Sequence, residues 1–487
     1  MPDELTPPPI DQPRIGVDEW VASVEGRRDR YSGATGLVRR AWDNLPVWGR
    51  LLVFLVPAVI FPQITSTGNL FRFGLITLLY ALLALGLNIT VGFAGLLDLG
   101  YIAFFGFGAY TYGFVASGYT HHHWPAELAI PLAIVVAGAV GLVVGFPSRR
   151  LVGDYLAIVT LFFGQAFVVF VNNADQVRFP FVGHVDLTGD ANGLDNIDPL
   201  NVFGWIVNTT KEYYYFTLGA FVLAMILIYF ANESRTGRAW RALREDPLSA
   251  EVMSIPVNRL KLMAFVFGAG TAGFAGAIYA SVQTGAFPGD YDVGLLITIY
   301  AIVVLGGAGS LAGVVVGALI VNGVPELLRD PNQAEWVFYT AIAIALFATI
   351  RPWRRLAAVV GATIGLGFAL HAIADAWFPR WTAGQANEGR LAHWVGSWML
   401  LPSHTTQLAN WAYVILIAAI LVLTLLHGIW RTVVLVPTIW LASFVWENLL
   451  VEQTAGATRF LLLGALLVVL MNVRPQGLFG TARVEIV

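Results

Sequence analysis

Fourteen apolar stretches, most of them near 20 residues long, constrain this chain more than any other feature. They lie at about 47–64, 70–91, 98–118, 125–146, 155–172, 213–231 and 261–283, then at 293–305, 311–328, 335–350, 356–378, 410–427, 433–450 and 459–473. A helix of ~20 apolar residues crosses the hydrocarbon core of a bilayer, and lipid offers backbone groups no partners of its own. Only 12% of the residues are charged, against about 25% in soluble domains. The expectation is an all-α, polytopic transmembrane bundle of about ten core spans plus about four more near the C-terminus. Several runs are short, and 293–328 also reads as a re-entrant pair.

Positive charge orients the bundle, because loops on the cytoplasmic side accumulate Lys and Arg. If the N-terminus is cytoplasmic and all fourteen runs cross, seven of the 28 basic residues fall outside: Arg72, Arg178, Lys211, Arg329, Arg380, Arg390 and Arg459. The other 21 fall inside, among them Arg149, Arg150, Arg351, Arg354, Arg355 and Arg474. Both termini are therefore expected in the cytoplasm. Residues 1–46, Pro-rich and then Arg-rich, read as a partly disordered cytoplasmic tail without the apolar core of a signal peptide. The longest outer loop, 173–212, is acidic, with Asp175, Asp186, Asp190, Asp195, Asp198 and Glu212 against Arg178 and Lys211. It reads either as a surface that meets a ligand or partner or as a solvated linker.

Between the runs ending near 231 and starting near 261 lies ESRTGRAWRALREDPLSAEVMSIPVNRLK, residues 233–261. Asp246 followed by Pro247 marks a helix start, since Asp accepts first-turn amides and Pro is tolerated at the first helical position. Pro256 is expected to stop that helix after roughly nine residues. Leu248, Val252 and Ile255 then form one apolar stripe with polar flanks. A stripe outside the membrane needs something to dock into, which points to a soluble partner.

The richest glycine segment is 86–118, GLNITVGFAGLLDLGYIAFFGFGAYTYGFVASG. Glycine lets helices approach closely in lipid and permits unwound backbone where it lines a cavity. Asp98 reads either as an inward-facing functional carboxylate or as a cap at the cytoplasmic end of its helix. Gly268–Gly276, GAGTAGFAG, contains a GxGxxG string but lacks a preceding strand, so it reads as helix packing. Gly309, Gly313 and Gly317 form a contact ridge, or Gly306–Gly307 breaks a hairpin. With Lys211 and Lys261 the only lysines and no cysteine anywhere, a P-loop, disulfides and thiol chemistry are excluded. His121–His123 are adjacent on a short turn and do not converge on an ion. No nucleophilic triad or paired carboxylates stand out, so the chain reads as a conduit, not an enzyme.

Four segments carry a resemblance. LNITVGFAGLLDLGYIAFFGFGAYTYG (87–113), GRAWRALREDPLSAEVMSIPVNRLKLMAF (237–265), VVLGGAGSLAGVVVGA (303–318) and RPQGLFG (474–480) resemble the permease subunit of branched-chain amino-acid ABC importers, the one with the GLLDLG signature. The outer LTGDANGL (187–194) is similar to that family's loop as well. Coverage is roughly 47–328 plus 440–480.

The resemblance implies an ATP-driven importer in a bacterial or archaeal plasma membrane. It implies a second homologous permease, two cytoplasmic ATP-binding subunits and an extracytoplasmic solute-binding protein, with ATP and magnesium on those partners and no cofactor or nucleic acid on this chain. The family's coupling loop maps onto Arg241–Ile255, with Ala250–Glu251 in the Ala-Glu position. The ATPase contact is assigned to Arg241, Arg244, Glu245, Asp246, Ala250 and Glu251, and the solute path to Asn88, Asp98, Tyr101 and Tyr110. Ser254 replaces the glycine usual after that pair. The organisation expected is a tail at 1–46, a permease core at 47–328, an extra membrane segment at 329–440, and a terminal helix and tail at 441–487. Competing readings are a permease for urea or a short amide, and a stand-alone ion-coupled carrier or channel.

Overall fold

The computed structural model describes residues 47–480, apart from 150, 152, 175–176, 180–182, 186, 351–352, 383–391, 403–405, 427 and 452–454. The expected 1–46 tail, Asp175 and Asp186 lie outside the described residues. The chain divides into two units, 1–65 and 66–487. In the first, α1 (Val47–Ile64) carries Pro57 and Pro62 within the helix.

The second unit is helical, as the apolar runs require. Its first helix, α2 (Thr67–Phe93), is continuous but contains π-helical turns at Leu70–Leu75 and Asn88–Phe93. Then follow α3 (Tyr101–Val115), α4 (Ala126–Ser148), α5 (Asp154–Val171) and α6 (Thr210–Glu233). Two short helices, α7 (Arg235–Glu245) and α8 (Pro247–Val252), fill the polar stretch before α9 (Val257–Gln283). Next come α10 (Val293–Gly306), α11 (Leu311–Leu327), α12 (Pro331–Thr349), α13 (Trp353–Trp377) and the short α14 (Ala392–Trp398). The last three are α15 (Thr406–Leu425), α16 (Ile429–Val445) and α17 (Ala455–Val473).

The packing centre is α9, which runs along α2, α3 and α4. Gly268, Ala269, Ala272, Gly273, Gly276 and Ala280 are all buried along it. A methyl group on Gly108 of α3 would stand 2.3 Å from the Gly273 carbonyl oxygen, so the two backbones are in direct contact. With no hydrophobic drive between helices in lipid, close contact of this kind supplies the attraction. The GxGxxG string is thus a packing surface.

Four expectations are corrected. The coupling helix was expected to run about nine residues and spans Pro247–Val252 instead. Ser254 adopts a left-handed φ of +61°, which ends the helix before Pro256. The run at 98–118 forms a helix of only 15 residues, about 22 Å long, because 94–100 is irregular. Neither α10 nor α11, at 14 and 17 residues, reaches the ~30 Å of a bilayer core at 1.5 Å per residue. They form a hairpin broken at Gly307 and Gly309, whose φ values are +107° and +90°. Finally, Asp98 is fully buried and does not sit in interfacial water.

Short strands organise the long loop between α5 and α6 and the segments beside it. β1 (Ala116–Ser117) pairs with β2 (His122–His123), β3 (Val177–Phe179) with β4 (Gly183–Val185), and β5 (Leu194–Asp195) with the distant β8 (Gly285–Ala286). A tight hairpin joins β6 (Asn201–Val202) to β7 (Trp205–Ile206). His123 and Asp198 pair at 2.6 Å across this loop. Among the described residues no group of three or more potential metal ligands exists.

Helices α13 to α16 gather a second apolar core around Val395, Trp398, Met399 and Val445. Within it Tyr339 donates to the buried carboxylate of Glu447 at 2.9 Å. A cavity of about 410 Å³, walled by Trp336, Tyr339, Trp394 and Trp398, lies alongside.

Candidate coupling site and interior hub

The polar stretch folds into two helices separated at Asp246, each with its own cap. Ser234 accepts from the Gly237 amide at the start of α7. Along α7, Gly237, Trp240 and Leu243 fall on one face and are buried, so the Arg-rich segment is amphipathic and not simply a solvated loop. Trp240 anchors that face by donating from Nε1 to the Leu260 carbonyl at 3.0 Å. Asp246 then caps α8, accepting from the Leu248 amide at 2.8 Å and the Ser249 amide at 3.3 Å. The Ser249 hydroxyl also donates to it at 2.7 Å. These three bonds hold the Asp246 carboxyl below its ordinary range, the Ser249 hydroxyl contributing most.

What α8 turns outward is apolar. Leu248, Val252 and Met253 are 74%, 83% and 75% exposed, with Glu251 exposed among them. Ala250 faces the other way and is buried. Ile255, expected to complete the stripe, lies beyond the helix and packs on the main core. Arg241 and Glu245 are exposed, Arg241 donating to the Asn232 carbonyl at 3.2 Å.

Arg244 turns inward. Its Nη1 donates to the carbonyl of Gly92, at the end of α2, and to that of Ala308 at 3.3 Å, in the α10–α11 turn. Those two places are joined a second time, because the Asn88 side-chain oxygen accepts from the Gly309 amide at 2.7 Å. The fit is close: a methyl group on Gly92 would lie 2.0 Å from that Asn88 oxygen. Residues 476–480 back the same turn from its other side. The amides of Leu478 and Phe479 donate to the carbonyls of Leu305 and Gly306, both at 2.9 Å. One surface helix, one π-helical turn, one hairpin turn and the C-terminal segment therefore meet around Arg244.

The expected solute-path residues divide. Asn88 is buried in this hub and its Nδ2 has no hydrogen-bond partner among the described residues. Asp98 accepts from the Gly100 amide at 3.1 Å through Oδ1, while Oδ2 is buried and without a hydrogen-bond partner among the described residues. The Tyr300 hydroxyl donates to the main-chain carbonyl of Asp98 at 2.7 Å. The hydroxyl of Tyr101 is engaged by the Leu83 carbonyl at 2.8 Å, which makes it a strut between α2 and α3. Tyr110 stands apart, in an aromatic cluster with Phe167 and Tyr291.

The family model described as branched-chain amino acid transport system / permease component matches residues 69–350. The chain belongs to this family. Its sequence is 35% identical over 319 residues to the high-affinity branched-chain amino acid transport system permease protein LivM of Salmonella typhimurium, covering 61% of this chain and 72% of that one. The corresponding LivM of Escherichia coli is 34% identical over the same shares. LivH of Salmonella typhimurium, named as a permease protein of the same kind of system, is 28% identical over 269 residues, 52% of this chain and 82% of that one. No solved structure matches the chain.

As a member of this family the chain is a multi-pass membrane permease, a transport subunit and not a catalytic one. Sequence reasoning missed several of the permease's hub residues. Trp240 and Leu243 follow Gly237 at helical spacing and were legible as a buried face. Ala308 and Phe479 were not, since each acts through a main-chain group that meets a residue far away in sequence; nor was Tyr291, in the separate aromatic cluster.

Proposed function

We propose that this permease is the membrane subunit of an ATP-driven importer of branched-chain amino acids, with ATP hydrolysed on separate cytoplasmic subunits that grip α8. The solute follows from the names of the relatives. The coupling role rests on one observation: an exposed apolar patch at Leu248, Val252 and Met253 sits on a capped helix whose neighbour, Arg244, is bonded to carbonyls inside the bundle. A partner that moves α8 pulls on α7, and through Arg244 on the end of α2 and the α10–α11 turn together. Access then alternates because the partner binds one arrangement better than the other.

In this reading Arg241, Glu245, Asp246, Ala250 and Glu251 form or support the contact with the ATP-binding subunit, and Arg244 transmits the motion. Both termini face the cytoplasm, a second homologous permease completes the path, and an extracytoplasmic solute-binding protein delivers to the outer loop. The test is reconstitution of the permease with candidate ATPase subunits, its partner permease and receptor, measuring ATP-dependent uptake of leucine and of urea. Leucine uptake that requires ATP is expected. Uptake of urea alone, or uptake driven by an ion gradient without the ATPase, overturns the proposal.

A further inference from the structure

Two tyrosine hydroxyls in the bundle are buried with nothing to bond. Tyr110 on α3 and Tyr291 in the turn Pro288–Tyr291 before α10 are 6% and 2% exposed. Neither hydroxyl has a hydrogen-bond partner among the described residues. Their rings pack 5.7 Å apart. A hydroxyl removed from water without a replacement partner is destabilising, and phenylalanine would fill the same space without that cost. Two of them side by side need an acceptor that the described residues do not supply.

The surroundings define what that acceptor belongs to. Phe167 lies 5.9 Å from the Tyr291 ring and Phe105 lies 5.6 Å from it, centroid to centroid. Gly106 admits this packing, since a methyl group there would stand 2.2 Å from Phe167. On the far side of Phe105, at 5.2 Å, is Tyr279. Its hydroxyl accepts from the Gln283 amide at 3.1 Å and lies within hydrogen-bonding reach of Asp290. Asp290 is half-buried, and among the described residues it forms no ion pair with Lys, Arg or His. The cluster thus combines two O–H donors without a hydrogen-bond partner and one carboxylate without a cationic partner, both among the described residues, with aromatic walls. An α-amino acid has the complementary parts: a carboxylate, an ammonium and an apolar side chain.

We propose that Tyr110, Tyr291 and Asp290 form a recognition site for the zwitterionic head of an aliphatic α-amino acid, with Phe105 and Phe167 receiving its side chain. The two phenols donate to the carboxylate and Asp290 accepts from the ammonium. This rests on the reading of the chain as an amino-acid permease. Urea can accept from the phenols and donate to Asp290, but it carries neither charge and has no apolar group for the aromatic walls. A permease that must hold its solute and then release it is served by a few polar contacts of this kind and not by an enclosing cage.

The experiment uses the complete transporter complex without its receptor, so that the permease's own preference is read. Leucine-stimulated ATP hydrolysis is measured for wild type, Tyr110→Phe, Tyr291→Phe, the double variant and Asp290→Asn. Competition is measured with 3-methylbutylamine, which lacks the carboxylate, and 4-methylpentanoate, which lacks the ammonium. Each Tyr→Phe change is expected to raise half-saturation about tenfold, the scale of one hydrogen bond, with a thermal midpoint equal to or above that of wild type. The double variant should lose discrimination against the amine, and Asp290→Asn against the acid. Unchanged half-saturation and analogue ranking in the two Tyr→Phe variants, in a complex whose wild type responds to leucine, overturns the site alone. No leucine response or uptake by the wild-type complex, with its receptor or without it, overturns the underlying function as well. If Asp290→Asn fails to insert, the Tyr→Phe pair decides.

Discussion

The guanidinium of Arg244 donates to the main-chain carbonyl of Gly92, a residue 152 positions earlier. One end of this contact belongs to a surface helix rich in arginine, the other to the π-helical end of a membrane-spanning helix. A main-chain carbonyl left open by a π-turn inside the bundle is costly without a donor, so the charge and the irregular backbone satisfy each other.

Replacing Arg244 by Ala should separate ATP hydrolysis from transport. Hydrolysis by the assembled complex is expected to persist while leucine uptake falls at least about tenfold, and Arg244→Lys should recover part of it, since a single ammonium lacks the planar fork. The Ala variant should also lose about 1–3 kcal/mol of stability, because two carbonyls forfeit a charged donor. Hydrolysis and uptake in the same proteoliposomes check this. Full uptake in Arg244→Ala counts against transmission through this residue.

Charge reversal at Glu251 addresses the contact itself. Glu251 is exposed between Leu248 and Val252, so Glu251→Lys should leave insertion and thermal midpoint unchanged, within about 0.5 kcal/mol for a surface change. Binding of the ATPase subunit, measured by co-purification and by stimulated hydrolysis, should weaken. Wild-type binding and transport would remove Glu251 from the interface.

The cap on α8 is sensitive to acid. Because its hydrogen bonds hold the Asp246 carboxyl below the ordinary range, the stabilisation it gives is present above the unfolded-state value and is lost as pH falls through the folded-state value. Amide exchange at Leu248 and Ser249 should therefore be slow at neutral pH in wild type and fast in Asp246→Ala, once corrected for intrinsic exchange. The difference should shrink only in the acidic range. Equal protection in both proteins at neutral pH would show that the cap is not what holds the helix.

The C-terminal segment offers a test that spares the coupling surface. Phe479→Pro removes the amide that donates to Gly306 at 2.9 Å, and proline supplies no substitute donor. Expected is a lower uptake per ATP hydrolysed, with ATPase binding intact. A second variant, Gly92→Ala, attacks the other side of the same hub by forcing Asn88 away from Gly309; it should destabilise by about 1–3 kcal/mol. Unaltered uptake per ATP in both would dissociate the hub from transport.

The membrane class and the positions of most helices were legible because lipid imposes length and apolarity directly. Asp246–Pro247 announced α8, and glycine spacing announced the surfaces of α9 and α11. Less legible was where helices stop within the membrane. The irregular stretch 94–100 is held by Thr160, which accepts from the Leu99 amide, and by Tyr300, which donates to the Asp98 carbonyl. The break at Gly307–Gly309 is held by Asn88, Arg244 and Leu478, and all of these partners lie far away in sequence. The end of α8 was misplaced because Ser254, not Pro256, makes the turn. As for the candidate site, the exposed half of the coupling segment could be read from charge and caps. The inward course of Arg244 could not, since its acceptors are carbonyls with no identity in the sequence.

The order in which a chain leaves the ribosome gives the last contact a separate meaning. Residues 476–480 emerge only after α2 to α17 have been made, yet they hold the α10–α11 turn on which Arg244 rests. Proteins assemble from the N-terminal end during synthesis, so until then this turn lacks its backing. A product cut short by a stop just before residue 476 would keep α2 to α17 and lose this backing, so its α10–α11 turn would be mechanically slack.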